Sequence, residues 1–325
     1  MTRIFTSALG LALAASTLWA QEPPTDPLYK VELLIFSYRS PAAGASEAWE
    51  PTPRLSYPDP ARFLLNPPRI RAMAAEFGDN SEIDTYGRQL ITTASKRPDA
   101  PSPEPADSIT EPATIITPFE VLDNTELELA AGAGGLQRSG RYDVLFHQAW
   151  VQPLRQRDSA LPIILDQSGD SGDWPALQGS VKFYLSRYLH LETRLWLNTR
   201  GDYLPGRWWM PAPPLSPPSV MVDGQPPYIA RLGEAETSAS DRNPAPAPYH
   251  TDPFRPIGPE SQGPGPADTQ PWEPPWSYRH SVLLQQTRRM RSEEVHYLDH
   301  PMLGLVVKLT PVESVELSDG IDPDT

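Results

Sequence analysis

Between Gly179 and Asn198 the apolar residues recur at every second position: Val181, Phe183, Leu185, Leu189, Leu191, Leu195 and Leu197. That is the period of a β-strand with one face buried and the other wet. The wet face carries Lys182, Tyr184, Ser186, Tyr188, His190, Glu192, Arg194 and Trp196, aromatic and charged at once. Such a face suits a sugar, a peptide or a partner, and it is also what an ordinary solvated sheet face looks like. The phase continues through Ser186, Arg187 and Tyr188, without the Asn-Gly signal of a two-residue hairpin. One long, bent strand is therefore expected.

Proline sets the boundaries of the rest. Of 41 prolines, 13 fall in 39–118 and 19 in 199–279, against five in 119–198 and 281–311 together. Proline neither donates to a ladder nor continues a helix. The expected organisation is one discontinuous domain over 28–311, with a core of 28–38, 119–198 and 280–310. Two long Pro-rich insertions, 39–118 and 199–279, interrupt it. A core of that size is large enough to fold alone. Trp208, Trp209, Trp272 and Trp276 mark the ends of the second insertion and are expected to pack back. Residues 97–112 and 233–270 are linker-like in composition, and 312–325 form an acidic tail.

The run VELLIF within 28–38 is continuous enough for a central strand buried on both faces. A short helix is expected around 69–77. A longer one is expected over 119–137, capped by Asp123 or Asn124 and fading near Ala131 where glycines begin. Residues 141–153 form the next strand, with Trp150 on the same face as Tyr142 and Val144. Strand, long connection with a helix, strand is consistent with a parallel or adjacent pairing of 142–151 with 31–38. The run LPIIL at 161–165 suggests an edge strand, 280–290 a further strand, 295–298 its return, and 305–309 the last. The fold class this predicts is α+β: a mixed or antiparallel sheet with helices on one face.

The net charge of −14 argues against nucleic acid as the main partner, since that contact rests on neutralising phosphates. With no cysteine, disulfides, thiolate metal sites and a Cys nucleophile are excluded. Residues 1–20 have the form of a cleavable secretory signal: Arg3, an apolar run from Ile4 to Trp19, then Ala20. No other long apolar run follows. The expectation is an exported, periplasmic protein with no transmembrane segment in its mature chain.

Catalytic constellations are weak. His296 and His300 have i, i+4 spacing but lack the Glu of a zinc-protease helix, and Pro301 breaks the helix. His147, His190 and Asp143 have no nucleophile elbow beside them. Glu293 and Glu294 are adjacent acids at a turn. No catalytic residue, metal site or cofactor is expected. The basic cluster Arg279, Arg288, Arg289 and Arg291 stands out in an acidic chain; guanidinium forks bind carboxylates bidentately, and equally they pair with neighbouring glutamates.

Four blocks together carry a resemblance: YKVELLIFSYRSP at 29–41, YDVLFHQAWVQP at 142–153, LQGSVKFYLSRYLHLETRLWL at 177–197 and RRMRSEEVHYLDHPMLGLVVKL at 288–309. They resemble the CsiV family of Gram-negative periplasmic proteins, associated with peptidoglycan binding and cell-shape integrity. The resemblance implies a non-enzymatic wall protein working alongside murein synthases or their activators. The residues themselves suggest a ligand surface. Trp150, Tyr188, His190, Trp196 and Tyr297 would offer aromatic and polar contacts, and Arg187, Arg194, Arg289 and Arg291 would hold carboxylates. The rival reading is an interaction scaffold for a synthase or activator, without direct wall contact.

Overall fold

The computed structural model describes residues 26–39, 48–77, 81–92, 116–206, 209–224 and 276–312. In chain order they form β1 (Leu28–Tyr38), β2 (Arg62–Phe63), α1 (Pro67–Phe77), β3 (Ser81–Ile83), β4 (Gln89–Ile91), α2 (Ala130–Arg138), β5 (Tyr142–Pro153), β6 (Ile163–Ile164), α3 (Ser168–Ser171), β7 (Leu177–Leu185), β8 (Leu189–Thr199), β9 (Val220–Val222), β10 (His280–Met290), β11 (Val295–Asp299) and β12 (Leu303–Pro311). Sheet one has the order β11-β12-β1-β5, and sheet two the order β10-β8-β7-β6-β2. A small third sheet is β3-β4-β9. The proposed signal, residues 97–112, residues 233–270, Trp208, Trp272 and nearly all of the acidic tail lie outside the described residues.

The expected α+β fold is not what forms. The described residues are mostly strand, and their helices run to only 11, 9 and 4 residues. What packs against the inner face of sheet one is not a layer of helices but a second sheet. Val31, Leu33 and Ile35 of β1 and Leu305, Val307 and Leu309 of β12 share one core with Phe183 of β7, Leu191 and Leu195 of β8, and Leu284 of β10. The odd-numbered apolar residues of the 179–198 stretch are thus half of a sandwich interior.

That stretch is a hairpin, not one bent strand. β7 and β8 pair antiparallel from Leu177↔Leu197 to Leu185↔Leu189, and Ser186, Arg187 and Tyr188 make the turn. A three-residue loop pairs residue i with i+4, so odd stays opposite odd. The apolar phase therefore crosses the turn unbroken, which is why periodicity alone does not separate the two arrangements.

Three further differences have local causes. Residues 119–137 are not one helix. Leu65↔Glu120 and Val121↔Trp150 are β-bridges, Asn124–Glu126 is a single 3-10 turn capped by Asp123, and α2 begins only at Ala130. Its start is set by Glu32, buried on β1, whose carboxylate accepts the backbone N–H groups of Glu128 and Leu129 at 2.9 Å each. Strand β5 does pair with β1, antiparallel, but with a bulge: Phe36 faces Val144 and Ile35 faces Phe146, leaving Leu145 as the extra residue. Strand β11 returns along β12, not β10. Glu293 adopts a positive φ of 64°, and its N–H bonds to the Leu309 carbonyl at 2.7 Å, so the chain crosses there from sheet two to sheet one.

The Pro-rich stretches are tied into the sandwich where they are described. β2 lies parallel to β6, and β9 parallel to β4. As a result β6 is an inner strand of sheet two rather than its edge. Trp276 is buried, as expected of a residue that packs back, whereas Trp209 is 45 % exposed. His280, at the start of β10, bonds through Nε2 to the Glu50 carbonyl at 2.8 Å and through Nδ1 to the Tyr203 hydroxyl at 2.8 Å.

Two stability measurements follow from this packing. Leu191→Ala should lower the unfolding free energy by about 2–5 kcal/mol in urea denaturation, since Leu191 is fully buried between the sheets. Burial holds His280 below its ordinary pKa of 6.5. The unfolded chain takes up that proton first, so the His280 contribution is intact above pH 6.5 and is lost as the pH falls below it. His280→Gln should therefore lose less thermal stability than the parent protein between pH 7.5 and pH 5.5; an equal loss would assign the acid sensitivity elsewhere.

Candidate functional site

The outer face of sheet two is built from the residues that alternate with its core. Register places them in three rungs across β7, β8 and β10: Ser180–Arg194–Gln285, Lys182–Glu192–Thr287 and Tyr184–His190–Arg289. The first two rungs floor a groove of 570 Å³ whose walls include Pro58, Pro162 and Arg157.

One buried carboxylate positions the wall. Asp166 accepts the Tyr57 hydroxyl at 2.7 Å, the Ser168 hydroxyl at 2.6 Å and backbone N–H groups of Ser168 and Gly179 at 3.1 and 2.9 Å. Gly179 has φ +118°, and a Cβ there would lie 2.2 Å from the Arg194 carbonyl oxygen, so this approach requires glycine. The Tyr57 ring in turn sits edge-on against Trp196, centroids 5.0 Å apart. Burial beside Asp166 pushes the Tyr57 phenol well above its usual pKa. The first Pro-rich stretch is therefore anchored directly over sheet two.

The groove carries more positive than negative charge. Among the described residues Lys182 has no ion pair or hydrogen bond to its ammonium. Arg194 gives one long bond, Nη2 to the Arg54 carbonyl at 3.4 Å, and its Nε is buried without a partner. Glu192 is held by Arg157 at 2.8 Å. Beyond the groove, in the third rung, His190 stacks flat on Tyr184, centroids 4.8 Å apart, with its Nδ1 buried and unpartnered. At the hairpin tip Arg289 lies 3.9 Å over the Tyr188 ring and Arg187 5.6 Å from it.

Arg187, Tyr188, His190, Arg194 and Arg289 are thus brought to one face. The other predicted ligand residues are not. Trp150 is fully buried between the sheets, against Phe183, with its Nε1 on Gln152. The bulge at Leu145 turns it inward while Tyr142 and Val144 stay on the outer face of sheet one beside α2. Trp196 points outward as its parity requires, but is fully buried beneath Tyr57, its Nε1 on Gln178. Arg291 pairs with Glu294 where the chain crosses between sheets. Tyr297 is on sheet one, 46 % exposed, bonded to Tyr38 and Asp299. Lys182 and Glu192 were on the predicted wet face without being singled out. Arg157 comes from a loop with no periodic signal.

The catalytic groupings weighed from sequence do not assemble. His147 pairs with Glu32 on sheet one, Asp143 with Arg39, and His190 is on sheet two. His296 bonds to the Arg291 backbone, and His300 accepts the Met302 N–H. Among the described residues no group of three or more His, Asp or Glu could hold a metal ion.

The family described as "Peptidoglycan-binding protein, CsiV" matches residues 6–312, nearly the whole chain. The chain belongs to the CsiV family. No curated protein and no solved structure matches it. A peptidoglycan-binding family suggests an extracytoplasmic location, and among the described residues no helix is long and apolar enough to cross a membrane. The groove on sheet two is a concave surface that, among the described residues, carries two cations without a carboxylate partner, Lys182 and Arg194.

The anchoring role of Asp166 is testable. Asp166→Ala leaves several buried donors unpaired, each costing about 1–3 kcal/mol. Urea denaturation should show a larger loss than for Tyr57→Phe, which removes one of the bonds to Asp166 and the bond from Gln178 Nε2. Equal losses would mean that the carboxylate is not the hub.

Proposed function

We propose that this CsiV-family protein is exported and binds peptidoglycan without chemistry, through the groove on the outer face of sheet two, and so supports wall assembly and cell shape. One observation carries the reading: among the described residues neither Lys182 nor Arg194 has a carboxylate partner, in a groove of a chain whose net charge is −14. Acidic side chains are abundant in the chain, yet among the described residues Glu192 is the one acid lining the groove, and Arg157 holds it. Cations without carboxylate partners in a concave site favour an anionic ligand, and the peptide portions of the cell wall supply carboxylates. Cooperation with murein synthases or their activators is the finer part of the same reading, and exposed Trp209 offers one apolar contact for such a partner.

Co-sedimentation of the mature protein with purified murein sacculi tests it. A charge-assisted contact is worth about 1.5–3 kcal/mol. Lys182→Ala with Arg194→Ala should therefore weaken binding at least ~10-fold, while Tyr297→Ala on sheet one leaves it unchanged. A folded double variant that sediments like the parent would sink the proposal.

A further inference from the structure

The structure leaves the groove with cations but no open aromatic ring. Tyr184 is 5 % exposed and covered by His190, Trp196 is sealed beneath Tyr57, and Tyr188 lies under the Arg289 guanidinium. Among the described residues the exposed aromatic side chains are Tyr188 at the hairpin tip, Tyr297 and Trp209, and none of them lines the groove. Pyranose rings dock on exposed ring faces, so the floor of this site is poorly made for a sugar chain.

It is well made for a short peptide. Arg194 stands on the first rung, and Arg289 on the third. Two strand residues advance about 6.6–6.8 Å, so these cations are about 13–14 Å apart along the strands, the reach of about four extended residues. Ser180 and Gln285 flank Arg194 on its own rung, and between the two cations lie Lys182, without an ion pair among the described residues, Thr287, and Glu192, which Arg157 holds at 2.8 Å. The neutral side chains among these can meet backbone amides. The 570 Å³ volume is in the range of pockets that enclose small ligands.

We infer that the groove, together with the hairpin tip just beyond it, recognises the peptide portion of the wall, as an extended segment of about four residues with a carboxylate near each end, and does not hold the glycan strand. This rests on the reading of the groove as the wall-binding site. Arg194 and Lys182 hold one carboxylate, and Arg289, with Arg187 beside it at the hairpin tip, holds the other.

Calorimetric titration of the full mature protein tests the inference with three probes. They are a synthetic acidic tetrapeptide with free carboxylates, the same peptide with its carboxylates amidated, and a β-1,4-linked N-acetylglucosamine oligosaccharide. The free peptide should bind, amidation should weaken it at least ~10-fold, and the oligosaccharide should not compete. Lys182→Gln and Arg194→Gln should each reduce the free-peptide affinity and leave the amidated peptide unaffected; the same variants' urea midpoints verify folding. Absence of peptide binding, indifference to amidation, or displacement by the oligosaccharide would overturn the inference. The two levels fail differently. If the glutamine variants lose sacculus binding but only the oligosaccharide binds the parent, the peptide assignment falls and the groove stands. If they bind sacculi like the parent, the groove itself falls.

Discussion

Parity across a three-residue turn governs this molecule. Because Leu185 pairs with Leu189, odd-numbered residues of β7 and β8 share one face and even-numbered residues the other. The odd face, with Phe183, Leu191 and Leu195, closes the sandwich against β1 and β12. The even face places Lys182, Glu192 and Arg194 side by side on the exterior. The core and the proposed binding surface therefore share one hairpin. The residues proposed to bind alternate with fully buried neighbours, a favourable arrangement for placing charges with little ordering cost on binding.

A bare sheet face would not be a groove. Asp166 makes the difference, by gathering Tyr57, Ser168 and the backbone at Gly179 around one carboxylate. This brings Pro58 and the Arg54 carbonyl alongside the rungs. Proline suits such a wall: with φ fixed and no N–H, it lines a site without adding an unsatisfied donor. The described parts of the Pro-rich stretches thus serve the sandwich as cover.

How much of this is legible in the sequence differs residue by residue. The strands 28–38, 142–153, 280–290 and 303–311 are written in period two and in continuous apolar runs. The helix start is not, because it depends on Glu32 accepting N–H groups from a segment far along the chain. The partner of β11 is not, because it turns on the backbone of Glu293. In the site, parity correctly sends Tyr188, His190, Arg194 and Trp196 outward. It cannot say that Tyr57, from a distant stretch, covers Trp196. Trp150 fails for a different reason: one extra residue in β5 inverts its face relative to Tyr142, and a bulge leaves no mark on composition. Arg157 sits in a loop, where no period exists to place it.

The central claim, that the wall meets the outer face of sheet two, is tested most directly by lysine labelling with mass-spectrometric readout, with and without peptidoglycan fragments. Lys182 lies on the groove floor, while Lys308 lies on sheet one paired with Glu128. The account predicts that fragments protect Lys182 from acetylation and leave Lys308 unchanged. Equal labelling of Lys182 in both conditions, with the fragments demonstrably bound, would contradict it.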